Sequence, residues 1–171
     1  MANRIRDELC GWVITATMLY SIALVLHNAL RWFVLGSSLV VLISAFSGLL
    51  SKRPYTKTDQ AWRIAATSIA HTQLLIGFYL YAISPIIRYY WREKPSFAEA
   101  KEFPFFALIH ISLMLIAVVL MTVGSSKAKR QTDARERFRT TAVYFTIGLV
   151  LILIAVPWPF SPLAARPWVR F

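Results

Sequence analysis

The sequence predicts an all-α integral membrane bundle of four transmembrane helices, the first of them extended or bent at its N-terminal end. Three observations carry this. Hydrophobic residues make up 57% of the 171-residue chain and charged residues 16%, against about 25% charged in an ordinary soluble domain. The excess is segregated into long apolar runs separated by short basic connections. Inside lipid no water can satisfy a backbone N–H or C=O, so each run must close its hydrogen bonds within itself, as a helix does.

A hydrocarbon core of about 30 Å takes roughly 20 apolar residues of helix. The first span lies within Gly11 to Leu50, and a helix of that full length would measure about 60 Å. No Gly or Pro near His27 makes a tight turn, so one long or bent helix is expected rather than a separate interfacial or fifth segment. Residues 1–17 then read as an N-terminal extension, with Met18 a natural start, and residues 18–171 as the four-helix transmembrane domain. The second span runs from about Trp62 to Ser84 and stops at Ser84-Pro85. The third runs from Pro104 to Gly124, opened by Phe103-Pro104 and closed by Gly124-Ser125-Ser126. The fourth runs from Thr140 to Val156, ended by Pro157-Trp158-Pro159. Pro and small polar residues stop helices in this way. The longest connection, Ile86 to Phe103, has room for a short interfacial helix.

The net charge is +11. Because the basic residues flank bilayer-length apolar runs, anionic lipid headgroups explain them and nucleic acid is not expected. Lys and Arg are retained on the cytoplasmic side. The connection after the first span carries Lys52, Arg53, Lys57 and Arg63, and that after the third Lys127, Lys129, Arg130, Arg135, Arg137 and Arg139. On the other side Arg88, Arg92, Lys94 and Lys101 are diluted by Glu93, Glu99 and Glu102. The expected placement is a bacterial inner membrane, multi-pass, with both termini outside. Trp91, Trp158, Tyr89 and Tyr90 then form the outer aromatic belt and Trp62 part of the inner one.

The chain has three histidines, His27, His71 and His110, and each falls in a different predicted helix, while no span contains a carboxylate. Ionisable side chains in lipid cost a few kcal/mol and normally face the bundle interior. Imidazoles without carboxylates do not suit a proton relay or an oxygen-ligand cation site; neutral imidazole is the commonest transition-metal ligand. The cofactor that fits is one noncovalent haem b between two histidines, since no C-x-x-C-H occurs for covalent attachment. Cys10 is the single cysteine, which excludes a cysteine cluster. Counting 1.5 Å per residue from the cytoplasmic helix ends places His71 roughly 15–20 Å up, His110 about 21–25 Å and His27 about 30–35 Å. His71 with His110 is therefore the preferred pair and His27 with His110 the alternative.

Arg31 lies one turn after His27 on the same helix face. A guanidinium matches a carboxylate, so Arg31 is expected to anchor a haem propionate or, with His27, to bind a quinone headgroup. Met114, one turn after His110, is a candidate axial or copper ligand. Gly77 allows close approach of a helix or a flat macrocycle. Thr67, one turn before His71, is placed to hydrogen-bond that ring. No nucleophile paired with a histidine and a carboxylate is present, so a hydrolase is not expected.

Several segments carry a family resemblance. They are His27-Asn28-Ala29-Leu30-Arg31-Trp32, Lys52-Arg53-Pro54-Tyr55-Thr56-Lys57, and His71-Thr72-Gln73-Leu74-Leu75-Ile76-Gly77 through Tyr81 to Ser84-Pro85. His110, Gly124-Ser125-Ser126-Lys127-Ala128-Lys129 and Pro157-Trp158-Pro159-Phe160 complete the pattern. From Met18 almost to the end the chain resembles the small bacterial four-helix membrane proteins labelled cytochrome b or cytochrome-b-like; residues 1–17 depart from the pattern. The resemblance implies haem b and electron transfer. The expected function is thus an electron-transfer protein rather than a stand-alone enzyme. It would act alone or as a subunit of a membrane redox complex, with quinone as a candidate exchange partner. The rival expectations are a non-redox scaffold or accessory subunit with structural histidines, and a copper-handling transporter using His110, Met114 and His27.

Overall fold

The structure, a computed structural model, describes the backbone of residues 2–169 and the side chains of residues 17–169. The expected N-terminal extension therefore lies almost entirely outside the described side chains. Five helices make up the described backbone: α1 (Ala2–Ser51), α2 (Lys57–Ile83), α3 (Pro85–Glu93), α4 (Glu102–Arg130) and α5 (Ala134–Ala155). Among the described residues there is no strand. The Thr17–Ser51 part of α1, α4 and α5 are each long and apolar enough to cross a membrane. A fourth such segment exists where α2 and α3 count as one span, bent by 54°. The bend has a local cause: Ser84 is extended (φ −66°, ψ 128°) and Pro85 opens α3, since a residue before proline is pushed out of the helical region.

The four long helices close a ring, α1 on α2, α2 on α4, α4 on α5 and α5 on α1. Small residues sit inside and large apolar ones outside. Ala66 and Ala117 are 0% exposed, while Leu75 is 68% and Ile154 63% exposed. Water would not tolerate that exterior, whereas lipid does, and small interior residues let helix backbones approach. Gly124 is one such contact. A Cβ there would collide with the Tyr144 Cβ, an atom fixed to the α5 backbone. Gly124→Ala is accordingly expected to destabilise the protein by about 1–3 kcal/mol, read as an earlier thermal unfolding midpoint in detergent micelles.

Gly124-Ser125-Ser126 therefore does not close the third helix as the sequence suggests. The helix continues to Arg130, because Ser125 offers its carbonyl and hydroxyl to the Arg63 guanidinium of α2. The other helices also begin before their apolar runs. Thr56 caps α2 in a reciprocal box with Asp59, and the Asp133 side chain accepts from the Arg135 N–H at 3.1 Å to start α5. These capping oxygens satisfy N–H groups that have no partner within the helix.

The basic end of the bundle is held by two arginines. Arg53 makes a bidentate pair with Asp59, 2.7 Å to each carboxylate oxygen, and the Ser44 hydroxyl donates to the same carboxylate. Arg63 is 1% exposed, not a solvated loop charge, and also donates to the Tyr55 hydroxyl at 3.1 Å.

At the opposite end α3 stops at Lys94 in the left-handed region (φ 48°). In the loop beyond it, the Ser96 N–H and hydroxyl, both 2.8 Å away, hold the Glu99 carboxyl below the usual carboxylate range. The tail after α5 folds back over this end. Arg31 donates to the Trp168 carbonyl at 2.7 Å, Arg166 pairs with Glu102, and the Trp158 ring lies 6.2 Å from Trp32 and 5.4 Å from Trp168. This end carries the aromatic residues expected of one interface.

Candidate functional site

His27 of α1 and His110 of α4 face each other across the bundle, with ring centroids 6.4 Å apart and planes at 66°. Both line one cavity, with about 190 Å³ open to the centre of a water molecule. α1, α2 and α4 wall most of it, and Ile152 of α5 and Arg166 of the folded-back tail also line it. Its wall is mostly apolar and, among the described residues, contains no acidic side chain.

His110 is aimed by a contact of its ring, and His27 is held at its main chain. The His110 Nδ1 lies 2.8 Å from the Ala155 carbonyl oxygen. That oxygen only accepts, so Nδ1 carries the proton and the neutral ring keeps Nε2 as its lone-pair nitrogen, the tautomer a metal ligand needs. Phe105 and Phe106 pack on the same ring at 6.0 and 5.8 Å. On the facing side Gln73 of α2 donates to the His27 carbonyl at 2.9 Å. His27 lies against Gly77, where a Cβ would stand 3.3 Å from its Cε1. Three buried side-chain atoms of residues that line this cavity have no partner among the described residues: His27 Nδ1, Arg31 Nε and Gln73 Oε1. Orphaned buried groups are rare, and three of them on residues lining one cavity mark it as a candidate binding site.

The cavity gathers His27, His110, Arg31, Met114 and Gly77. It does not gather His71 or Thr67. His71 is exposed on the outer surface of the bundle, where its Nε2 meets the Thr122 hydroxyl at 2.8 Å. That hydroxyl donates to the Val118 carbonyl at 2.7 Å, so the imidazole is its donor. Thr67 donates to the Arg63 carbonyl of its own helix at 2.8 Å rather than to His71. The structure thus joins His110 to His27, and the preferred pairing of His110 with His71 does not form. The reason is register and face. His71 meets α4 at Thr122, twelve residues or about 18 Å along the helix from His110, whereas His27 meets it at His110 itself.

Gln73, Tyr81 and Arg166 also line the cavity, and the histidine count does not point to them. Gln73 and Tyr81 are legible in the sequence only as neutral polar groups in an apolar span. Arg166 reads as a terminal charge, and nothing in its neighbours shows that the tail folds back.

The residues fit an anionic, largely apolar ligand with a metal. Two facing imidazoles supply nitrogen donors, the wall is mostly apolar, and Arg31 and Arg166 are both among the residues that line the cavity. Haem b, a flat macrocycle with two carboxylates, has that chemistry. Among the described residues no group of three or more His, Cys, Asp or Glu side chains is arranged to hold a metal ion, so a metal here would depend on the histidine pair. Compared with protein-family models, curated proteins and solved structures, the chain matches none.

Proposed function

We propose that this chain is a haem-b-binding membrane cytochrome, akin to the cytochrome-b-like proteins its sequence resembles, and that it carries electrons in a bacterial inner membrane. The observation that supports it best is the His27–His110 pair facing one carboxylate-free cavity. In this reading α1, α2 with α3, α4 and α5 form four spans, with the basic connections in the cytoplasm, both termini outside and the haem near the outer face. The iron supplies a one-electron couple. The chain's own residues do the rest. Ala155 fixes the His110 tautomer, Gln73 steadies α1 beside His27, and the apolar wall excludes water. Arg31 and Arg166 hold the propionates, and their positive charge favours the reduced iron. Quinone, and other subunits of a membrane redox complex, are the proposed exchange partners.

Purified from haem-replete membranes, the protein is expected to be red, with a Soret band that shifts and sharpens on dithionite. A colourless protein that takes up no added hemin overturns the reading. Stoichiometric copper without haem would instead favour the site formed by His27, His110 and Met114, which lines the same cavity. Gly77 offers a second check. Gly77→Leu places a side chain against His27 and into the cavity, so hemin uptake is expected to fall by at least about tenfold while the fold persists, the strain being on the order of 1–3 kcal/mol. A hemin titration of the variant measures this.

A further inference from the structure

We infer that Tyr81 is a positioning residue for His110, holding a π-helical turn in the register that presents the imidazole to the cavity; the part that concerns haem rests on the reading above. The segment Phe105–His110 of α4 is a π-helical turn that ends on His110 itself. Such turns are rare and unstable alone, and are frequent at functional sites. Here one side chain from outside the helix secures it. The Tyr81 hydroxyl donates to the Ala107 carbonyl at 3.1 Å and accepts from the Trp91 indole N–H at 3.1 Å. The hydroxyl therefore ties α2, α3 and the π turn at one point, across the 54° bend that separates α2 from α3. Ala107 is 1% exposed, so without Tyr81 this contact to its carbonyl has no water to replace it.

The consequence is rotational. A π turn holds more residues than an α turn, and each residue of helix corresponds to about 100°. Relaxation to a regular α turn swings either His110 or the phenylalanines packed on it round the helix by about that angle. The 2.8 Å contact between His110 Nδ1 and the Ala155 carbonyl cannot survive such a swing of His110. Tyr81 thereby sets the direction of a side chain it does not touch.

The test uses the full chain in detergent micelles, without haem, and reads carbethoxylation of each histidine by peptide mass. In Tyr81→Phe the rate at His110 is expected to rise about 3- to 10-fold, the range set by loss of one neutral hydrogen bond, with His71 unchanged. Tyr79→Phe, an exposed tyrosine on the same helix, should leave both rates unchanged. An unaltered His110 rate in Tyr81→Phe overturns the inference. Should that variant not fold, Trp91→Phe carries the test, since it removes the indole that orients the hydroxyl; a faster His110 supports the inference and an unchanged one overturns it. Hemin titration of the same proteins separates the two claims. A wild type that binds no hemin, with His110 still faster in Tyr81→Phe, removes the haem reading and leaves Tyr81 in its role. Equal hemin binding with unchanged His110 rates does the reverse.

Discussion

Replacing either His27 or His110 with alanine is expected to weaken hemin binding by more than about 100-fold, while His71→Ala binds as wild type does. On the proposed reading the first two substitutions remove a metal ligand, and loss of even an outer-shell partner commonly weakens a metal site by about 10–100-fold. His71 instead donates to Thr122 on the outside of the bundle, so its loss removes one peripheral hydrogen bond, worth about 1 kcal/mol. The check is a Soret titration of the three purified variants. Hemin lost with His71 but kept without His27 would contradict the pairing and restore His71 with His110.

That pairing shows how far a sequence carries. The three histidines are legible because ionisable groups stand out in apolar runs. Which two meet depends on where each helix begins and ends and on which face it turns inward, and the sequence places neither. Gly124-Ser125-Ser126 looks like a helix stop, yet the glycine packs on Tyr144 and the serine receives Arg63. Both are tertiary contacts made by residues distant in sequence, so local punctuation cannot report them. The extension of α4 moves His110 by about 9 Å and the earlier start of α2 moves His71 by about 7.5 Å, so the partners are decided by which face each helix turns inward, and His71 is turned outward to Thr122.

Arg63→Ala is the second large effect expected, a destabilisation of about 2–4 kcal/mol, measured as unfolding in mixed detergent. The guanidinium fills interior space, donates to the Tyr55 hydroxyl at 3.1 Å and grips Ser125, so its loss leaves a void and unpaired acceptors. Opposing this is the penalty of burying a charge, which the substitution relieves. Arg63 sits only four residues beyond Asp59 at the basic end, where that penalty is smallest, so the lost contacts are expected to win. An alanine variant as stable as wild type would show that relief from burying the charge cancels the loss of those contacts. Arg63→Lys should recover only part of the stability, because a single ammonium cannot span Tyr55 and Ser125 as a planar fork does.

The same arginine marks a limit of charge patterning. It follows Trp62 at the start of an apolar run, where its position groups it with Lys52, Arg53 and Lys57 as a loop charge. Its burial follows from facing α4, which its own segment does not encode. The helical class, by contrast, is legible throughout, since apolar run length and backbone hydrogen bonding act locally. The short helix α3 is legible too, from the length of the connection after Ser84-Pro85. The site lies in between. His27, Arg31, Met114, Gly77 and His110 each stand out by residue type, but their assembly, and the addition of Gln73, Tyr81 and Arg166, requires the ring of helices and the folded-back tail.

Electron paramagnetic resonance of the oxidised, hemin-loaded protein tests the central claim most directly. If His27 and His110 both hold the iron, their two imidazoles would impose a strong ligand field, so a low-spin ferric signal is expected, and it should give way to a high-spin signal in His27→Ala. A high-spin signal in the wild type, or a low-spin signal that survives loss of His27, would contradict ligation by this pair.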